Sequence, residues 1–298
     1  MKFIIYNPAT KLFDFFIKAL KYEFEKFNIN VIDYNTNQDI IFDYKNDIIM
    51  IIVDPHFIFD YKDIEKEILK INKNFRYKIL YITEPINFMI EKNIYNILIK
   101  KINPYCLWTY THENFNKINL SRKIFKIFPE NKIFQLICVD KDKLKERNSN
   151  NIIFFGNINE NRINICNKFN KYLINKTSAW SFEEWSDILN NNLFFLNIHR
   201  RNNCKSFESF RIIPILANGG VIFSEKCNDR EESIYKKYNI IFVNKNDLYT
   251  TFLEYIKNIN YDEIYLRYNT YLNDMKSNMN LFLEYHNSCL ENKDKIIS

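Results

Sequence analysis

The chain has 298 residues, 47% hydrophobic and 26% charged, with a formal net charge of +6. That balance excludes an intrinsically disordered chain and is enough apolar material for a core in each of two domains. Lys and Arg alternate with Asp and Glu along the whole length, so no basic arm for a nucleic-acid partner is expected. The longest uninterrupted apolar run, Ile48–Val53, is too short to span a bilayer.

In chain order, Phe3–Tyr6 reads as a buried strand. Thr10–Phe27 reads as a helix, with Leu12, Phe13, Phe16, Ile17, Leu20 and Phe24 recurring at three- and four-residue spacing. Short apolar strands follow at Ile29–Ile32, Ile48–Val53, Ile79–Ile82 and Cys106–Trp108. Helical patterns over Asp60–Ile71 and Asn87–Ile102 separate them. Continuous apolar strands alternating with helices imply a parallel sheet covered on both faces.

Phe134–Asn150 is the candidate boundary, after which the rhythm restarts. Strands are predicted at Ile152–Phe155, Leu193–Ile198, Val221–Phe223 and Ile240–Val243. Helices are predicted at Glu160–Tyr172, Phe182–Asn190, Ser206–Ala217, Glu231–Lys237 and Leu248–Ile259. Asp262–Leu290 is helical with little strand signal. The reading is an α/β protein of two Rossmann-like, doubly wound parallel-sheet domains, residues 1–140 and 150–260, followed by C-terminal helices over 261–298.

Only three glycines occur, Gly156, Gly219 and Gly220. All stand at the edges of predicted strands in the second half, where a side chain would be excluded. The C-terminal ends of parallel strands are where open α/β sheets hold ligands. Those positions carry Gly156-Asn157, His199-Arg200-Arg201, Ser224-Glu225 and Asn244. His199 is the candidate catalytic side chain there, the alternative being a structural hydrogen-bonder. Arg200, Arg201 and Lys205 form a cationic loop ahead of a helix N-terminus, a setting that favours phosphate. Glu208 and Arg211 share a helix face. Glu208 can accept two hydroxyls of a diol such as ribose, and Arg211 can orient it or reach a phosphate. The alternative is a surface ion pair of small energetic value.

Asp140-Lys141-Asp142 has the form of a DxD metal motif, but lies in the polar boundary segment. No His, Cys or carboxylate cluster has metal-ligand spacing, so neither a metal nor a cofactor is expected. The six cysteines form no CxxC pair, and buried free thiols in a reducing compartment are expected. The N-terminal residues lack the features of a signal peptide. The expectation is a soluble cytoplasmic protein, in the host cytoplasm if viral. The Lys-bearing, Phe-rich face of Thr10–Phe27 is a candidate peripheral membrane contact, against the alternative of core packing.

Taken in order, these segments resemble glycosyltransferases of the GT-B type. The resemblance is to the group-1-like, spore-maturation CgeB-like branch of bacteria and giant viruses. Phe154-Phe155-Gly156-Asn157-Ile158-Asn159-Glu160-Asn161-Arg162 is similar to that branch's aromatic–Gly–polar–x–Asn–Glu–x–Arg loop. Leu196-Asn197-Ile198-His199, Phe207-Glu208 with Arg211, Leu216-Ala217-Asn218 and Val221-Ile222-Phe223-Ser224-Glu225 continue the match. In the first half, Leu80-Tyr81-Ile82-Thr83-Glu84 and Trp108–Asn114 also look like family segments. Glu84-Pro85 stands where Glu-Gln is expected, and Thr109 where an Asp is expected.

The resemblance implies transfer of a sugar from a nucleoside-diphosphate sugar, held by the second domain, to a glycan, protein or lipid-linked acceptor on the first, with the C-terminal helices over 261–298 packing back on the first domain. It implies donor contacts at Gly156, Asn157, Arg162, Glu208, Arg211, Gly219 and Glu225, and a catalytic role for His199 and Glu84, with His112 a further base candidate. Arg162, His199 and Arg211 would stabilise the departing diphosphate without an obligatory metal. The alternative is a catalytically silent GT-B-like protein that binds a nucleotide or glycan.

Overall fold

A computed structural model of the chain describes residues 1–7, 14–34, 41–53, 64–83, 86, 89–109, 114, 117–118, 125–127, 139–177, 181–200, 207–227, 229–274, 283–284 and 286–288. The chain divides into two compact units. One comprises residues 1–13, 20–131 and 277–298, the other residues 14–19 and 132–276.

The first unit carries strands β1 (Lys2–Tyr6), β2 (Asn30–Asp33), β3 (Ile48–Val53), β4 (Tyr77–Ile82), β5 (Cys106–Thr109) and β6 (Phe125–Ile127). They form one sheet in the order β2-β1-β3-β4-β5-β6, and every pair is parallel. Helices α1 (Asp14–Glu25), α2 (Ile64–Asn74) and α3 (Met89–Ile102) alternate with the strands in sequence. All six residues of β4, YKILYI, are buried. Even Lys78 is accommodated, its ammonium donating to the Phe75 carbonyl at 3.2 Å. Strands covered on both faces have no polar alternation to show, which is why they read as short apolar runs. One core packs Ile4, Ile49, Ile51, Leu80, Ile82 and Leu107 of the sheet against Ile68, Ile71, Leu98 and Ile102 of α2 and α3.

The Phe-rich face predicted for the first helix is buried. Phe16, Leu20 and Phe24 are each at most 1% exposed. These three side chains are core, the alternative weighed for that face. Among the described residues no helix is long and apolar enough to cross a membrane.

The second unit carries β7 (Asn148–Phe155), β8 (Leu173–Lys176), β9 (Asn192–Asn197), β10 (Val221–Glu225) and β11 (Ile240–Val243), in the order β11-β10-β9-β7-β8. All pairs are again parallel. Helices α4 (Lys141–Glu146), α5 (Glu160–Phe169), α6 (Phe182–Asn191), α7 (Ser209–Ala217), α8 (Asp229–Tyr235), α9 (Leu248–Lys257) and α10 (Tyr261–Asp274) complete it. Ser181 caps α6 in a reciprocal capping box with Glu184. Phe194 and Phe223 meet Phe252 and Tyr255 of α9 edge-to-face at 5.3–5.9 Å. Such pairs favour this geometry because a positive ring edge meets a negative face.

Two strands escaped the sequence reading. β8 lies at the sheet edge and half-exposes Leu-Ile-Asn-Lys, so it has neither an apolar run nor a clean alternation. The helix expected over Glu160–Tyr172 accordingly stops at Phe169, and the chain turns into this strand. β6 is a three-residue edge strand, too short for any period to register. β7 also begins earlier than expected. Asn148 pairs with Asn192, and the register shifts before Ile152, a bulge that admits polar residues at the start of a buried strand.

The terminal segment is divided. Ile264 and Tyr268 of α10 are fully buried in the core of the second unit, whereas His286 is buried in the first. There its ring meets Tyr77 edge-on at 5.0 Å, and the Tyr105 hydroxyl lies 3.2 Å from its Nδ1.

Gly220 is a packing position. An ideal Cβ there would lie 2.5 Å from Cγ2 of Ile215 and 2.8 Å from the Phe195 ring. Gly220→Ala should therefore destabilise the fold by about 1–3 kcal/mol through overpacking, read as a lower urea midpoint at unchanged m value. A second expectation concerns acid. Burial pushes the His286 imidazole down to about 4, from an ordinary value of 6.5. The unfolded chain then binds this proton at higher pH than the folded chain does. The stability linked to it is whole above pH 6.5 and is lost as pH falls through about 4, amounting to roughly 3 kcal/mol at most. Denaturant titrations at stepped pH check this: His286→Gln should show a shallower acid slope than the parent.

Candidate functional site

In the second sheet the strand order reverses between β7 and β9. Such a switch point opens a crevice at the carboxyl ends of the two strands, because their following connections leave in opposite directions. Gly156 follows β7 there, and Ile198 and His199 follow β9.

What fixes this edge is the first turn of α5. Arg162 reaches across with Nε and Nη2, donating both to the Ile198 carbonyl at 3.0 and 2.8 Å. Asn161 Nδ2 donates to the His199 carbonyl at 3.2 Å, and Asn159 Nδ2 to the Arg200 carbonyl at 2.8 Å. Three consecutive carbonyls are thus held by three side chains from one helix start. Asn159 is the N-cap residue of α5, yet its side chain makes no capping bond. Its amide serves the loop instead. Lys245 Nζ donates to Asn161 Oδ1 at 2.8 Å and secures the middle member. Nη1 of Arg162 donates to the Asn157 carbonyl at 3.0 Å, so the turn after β7 is tied to the same guanidinium.

Arg162 is only 4% exposed, whereas the Arg211 side chain is 20% exposed and Glu208 16%. Arg162 stacks over the Phe154 ring at 5.2 Å. Burial lowers its pKa from the ordinary value; Glu208 opposes that, while Arg211 and Arg200 add to it. A guanidinium has ample margin to remain cationic through such a shift. Arg211 Nη1 pairs with Glu208 Oε2 and donates to Asn197 Oδ1 at 3.2 Å. Asn197 passes the chain on, donating to Ser224 Oγ at 3.0 Å. Glu208 Oε1 lies 3.7 Å from Arg162 Nη2.

Gly156 has φ +125°, and a Cβ there would lie 3.4 Å from both Arg162 Nη1 and Arg211 Nη2. A side chain would be strained by the backbone and would touch both guanidinium groups. Gly219 is held differently. At φ +78° its missing Cβ faces Leu144 and Val139 at 3.2 and 3.3 Å, with Arg147 beyond. It packs against α4 rather than against the arginine pair.

His199 is 2% exposed. Its backbone N–H donates to Glu225 Oε2 at 3.1 Å, and its Nε2 lies 2.9 Å from the Lys226 carbonyl. A carbonyl only accepts, so Nε2 carries the proton. That fixes the ring's tautomer and orientation. Glu225 braces the same backbone. The structure therefore brings Gly156, Asn157, Arg162, Glu208, Arg211, His199 and Glu225 to one edge. Glu84 and His112 lie outside the described residues, as do Arg201 and Lys205.

The DxD match is spent locally. Asp140 caps α4 by accepting from the Lys143 amide at 2.8 Å, and Asp142 pairs with Lys145 at 3.2 Å. Cys106, Cys166 and Cys227 are buried free thiols. Asn159, Asn161 and Asn197 stand in the quoted motifs without a role assigned to them, and Lys245 was not singled out. The Asn-x-Asn-Arg spacing at the start of the helix was the available signal, hidden by the abundance of Asn throughout the chain.

No family model matches the sequence, and no curated protein matches it at a significant level. Solved structures do match. HepE of Anabaena, determined with UDP and glucose, aligns over 97% of this chain and 99% of its own at 9% identity, TM-score 0.58. A glycosyltransferase of Rickettsia africae ESF-5 aligns over 97% and 98% at 12% identity, TM-score 0.54. An alpha-glucosyltransferase, determined with UDP and a DNA 13-mer containing an HMU base, aligns over 96% and 98% at 12% identity, TM-score 0.52. These likenesses establish the fold: two Rossmann-like parallel-sheet domains of the GT-B class.

The carbonyl clamp makes a quantitative expectation. Arg162→Met keeps the stem but leaves the Ile198 and Asn157 carbonyls without this donor. Urea denaturation should show a loss of about 2–4 kcal/mol. Asn161→Ala, removing one partly buried bond, should cost about 1 kcal/mol.

Proposed function

We propose that the chain is a glycosyltransferase of the CgeB-like branch that uses a nucleoside-diphosphate sugar, with Arg162 and Arg211 as the cations facing the diphosphate. The observation that carries this reading is the pair of guanidinium groups flanking a side-chain-free Gly156 at the switch point of the second sheet. When the sugar leaves, negative charge accumulates on the diphosphate. Cations already fixed by other bonds stabilise that charge without reorganising, the main source of electrostatic catalysis. Arg162 is fixed by backbone carbonyls and Arg211 by Glu208 and Asn197. Positive charge supplied in this way needs no obligatory metal.

In this reading Asn157 and Gly156 form the turn over which the donor lies, and Glu225 acts through the His199 backbone. His199 lines the donor side, its imidazole orientation set by the Lys226 carbonyl. Gly219 shapes the end of α7 from behind. Glu84 belongs to the acceptor side of the first domain, where it is the candidate base for a glycan, protein or lipid-linked acceptor. The protein acts in the cytoplasm.

UDP is the first nucleotide to try, since HepE and the alpha-glucosyltransferase were determined with it. Calorimetry against UDP, GDP, TDP and CMP, followed by turnover assays with the sugars of whichever binds, tests the reading. Arg211→Ala should weaken the bound nucleoside diphosphate by about 1.5–3 kcal/mol, the range for a hydrogen bond to a charged group, and leave the free nucleoside nearly unaffected. The affinity should persist in EDTA. Equal binding of the diphosphate by parent and Arg211→Ala would remove the donor-site assignment. Tight binding without turnover of any sugar would instead favour a silent nucleotide-binding protein.

A further inference from the structure

Glu208 stands immediately before α7 as its N-cap residue, with φ −84° and ψ 71°, and its side chain makes no capping bond. A carboxylate at a helix start ordinarily gains from the exposed N–H groups of the first turn. This one turns to two guanidinium groups instead, with Oε2 on Arg211 and Oε1 3.7 Å from Arg162. Its two oxygens therefore point at the same cations that flank Gly156. The carboxylate occupies chemistry that an incoming phosphate would use.

We infer that Glu208 is a displaceable internal counter-ion that makes the Arg162–Arg211 pair select two linked phosphates over one. The inference rests on the donor-site reading above. Without a counter-ion, two guanidinium groups held near one another repel, and Arg211 adds to the lowering of the Arg162 proton affinity that burial begins. The carboxylate relieves that repulsion and holds Arg211 in place while the site is empty. It also raises the threshold for a ligand. A single phosphate, at about −1.5 to −2, exceeds the carboxylate it must displace by less than a diphosphate does. A diphosphate can address both guanidinium groups at once, and its extra charge drives the exchange. Glu208 is in this sense a positioning and specificity residue, acting through the arginines. A ribose-accepting Glu208 makes the opposite prediction, because its removal would weaken the nucleoside and leave the phosphates alone.

The test is calorimetry of inorganic pyrophosphate, inorganic phosphate and uridine on the full chain and on Glu208→Gln, at low and high salt. The isosteric amide removes the charge and keeps the volume. The expected result is pyrophosphate bound about tenfold more tightly by Glu208→Gln at low salt, converging with the parent at high salt. Phosphate should gain more than pyrophosphate does, so the preference for pyrophosphate over phosphate narrows. Uridine binding should not change. Glu208→Asp, which retracts the carboxylate by one methylene, should fall between the two.

Pyrophosphate bound equally or more weakly by Glu208→Gln would overturn the inference while leaving the donor site standing, provided the parent binds UDP. Weakened uridine binding would overturn it in favour of the ribose role. If the parent binds neither pyrophosphate nor any nucleoside diphosphate, the donor-site reading falls and this inference with it. Loss of the folded state in both variants, read by thermal melting, would also overturn it. A carboxylate that the fold cannot do without is not a displaceable one.

Discussion

The edge of the second sheet depends on one arrangement: three side chains from the start of α5 donating to three successive carbonyls beyond β9. A chain leaving a buried strand carries carbonyls that have lost their ladder partners. The innermost, that of Ile198, is buried and must be paired, because an unmade bond in a dry place costs far more than a made one returns. Usually water or a turn supplies the donor. Here Arg162, Asn161 and Asn159 do, and by doing so they fix where Ile198, His199 and Arg200 run. The orientation of the His199 ring, the seat of Arg162 and the shape of the turn after β7 all follow from this clamp.

The charges at this edge obey the same rule. Arg162 is nearly inaccessible to water, and a buried cation survives only with compensation. Carbonyl dipoles provide part of it and Glu208 the rest. The network then runs outward through Arg211 to Asn197 and Ser224, from closed to partly open. Such an arrangement holds its positive charge in a fixed place before any ligand arrives. Gly156 completes it by omission, since any side chain there would stand against both guanidinium groups.

The glycines illustrate how differently one residue type can be used. Gly156 and Gly219 both have positive φ, and Gly220 adjoins the second of them. Only Gly156 faces the arginines. Gly219 and Gly220 make room for Leu144, Val139, Ile215 and Phe195, a matter of packing an α7 turn against its surroundings. In a chain with so few glycines, scarcity marked all three positions as constrained without revealing the constraint.

The α/β class and both parallel sheets were legible in the sequence, because strands buried on two faces must be continuously apolar and helices over them must be amphipathic. The central strands were visible for that reason. β6 and β8 were not, since edge strands are short or half-wet and carry no distinguishing period. At the site, the sequence supplied the residue types and the strand ends on which they stand: Gly156, Arg162, His199, Glu208, Arg211 and Glu225. It could not say that Arg162 spends its donors on Ile198 and Asn157, that Glu208 also faces Arg162, or that Gly219 looks away. The decisive ones are contacts between residues far apart in the chain, such as Arg162 with Ile198 and with Glu208, 36 and 46 positions away. Local pattern records which face of an element is apolar, but only the folded chain decides which polar groups meet across the gap between two strands.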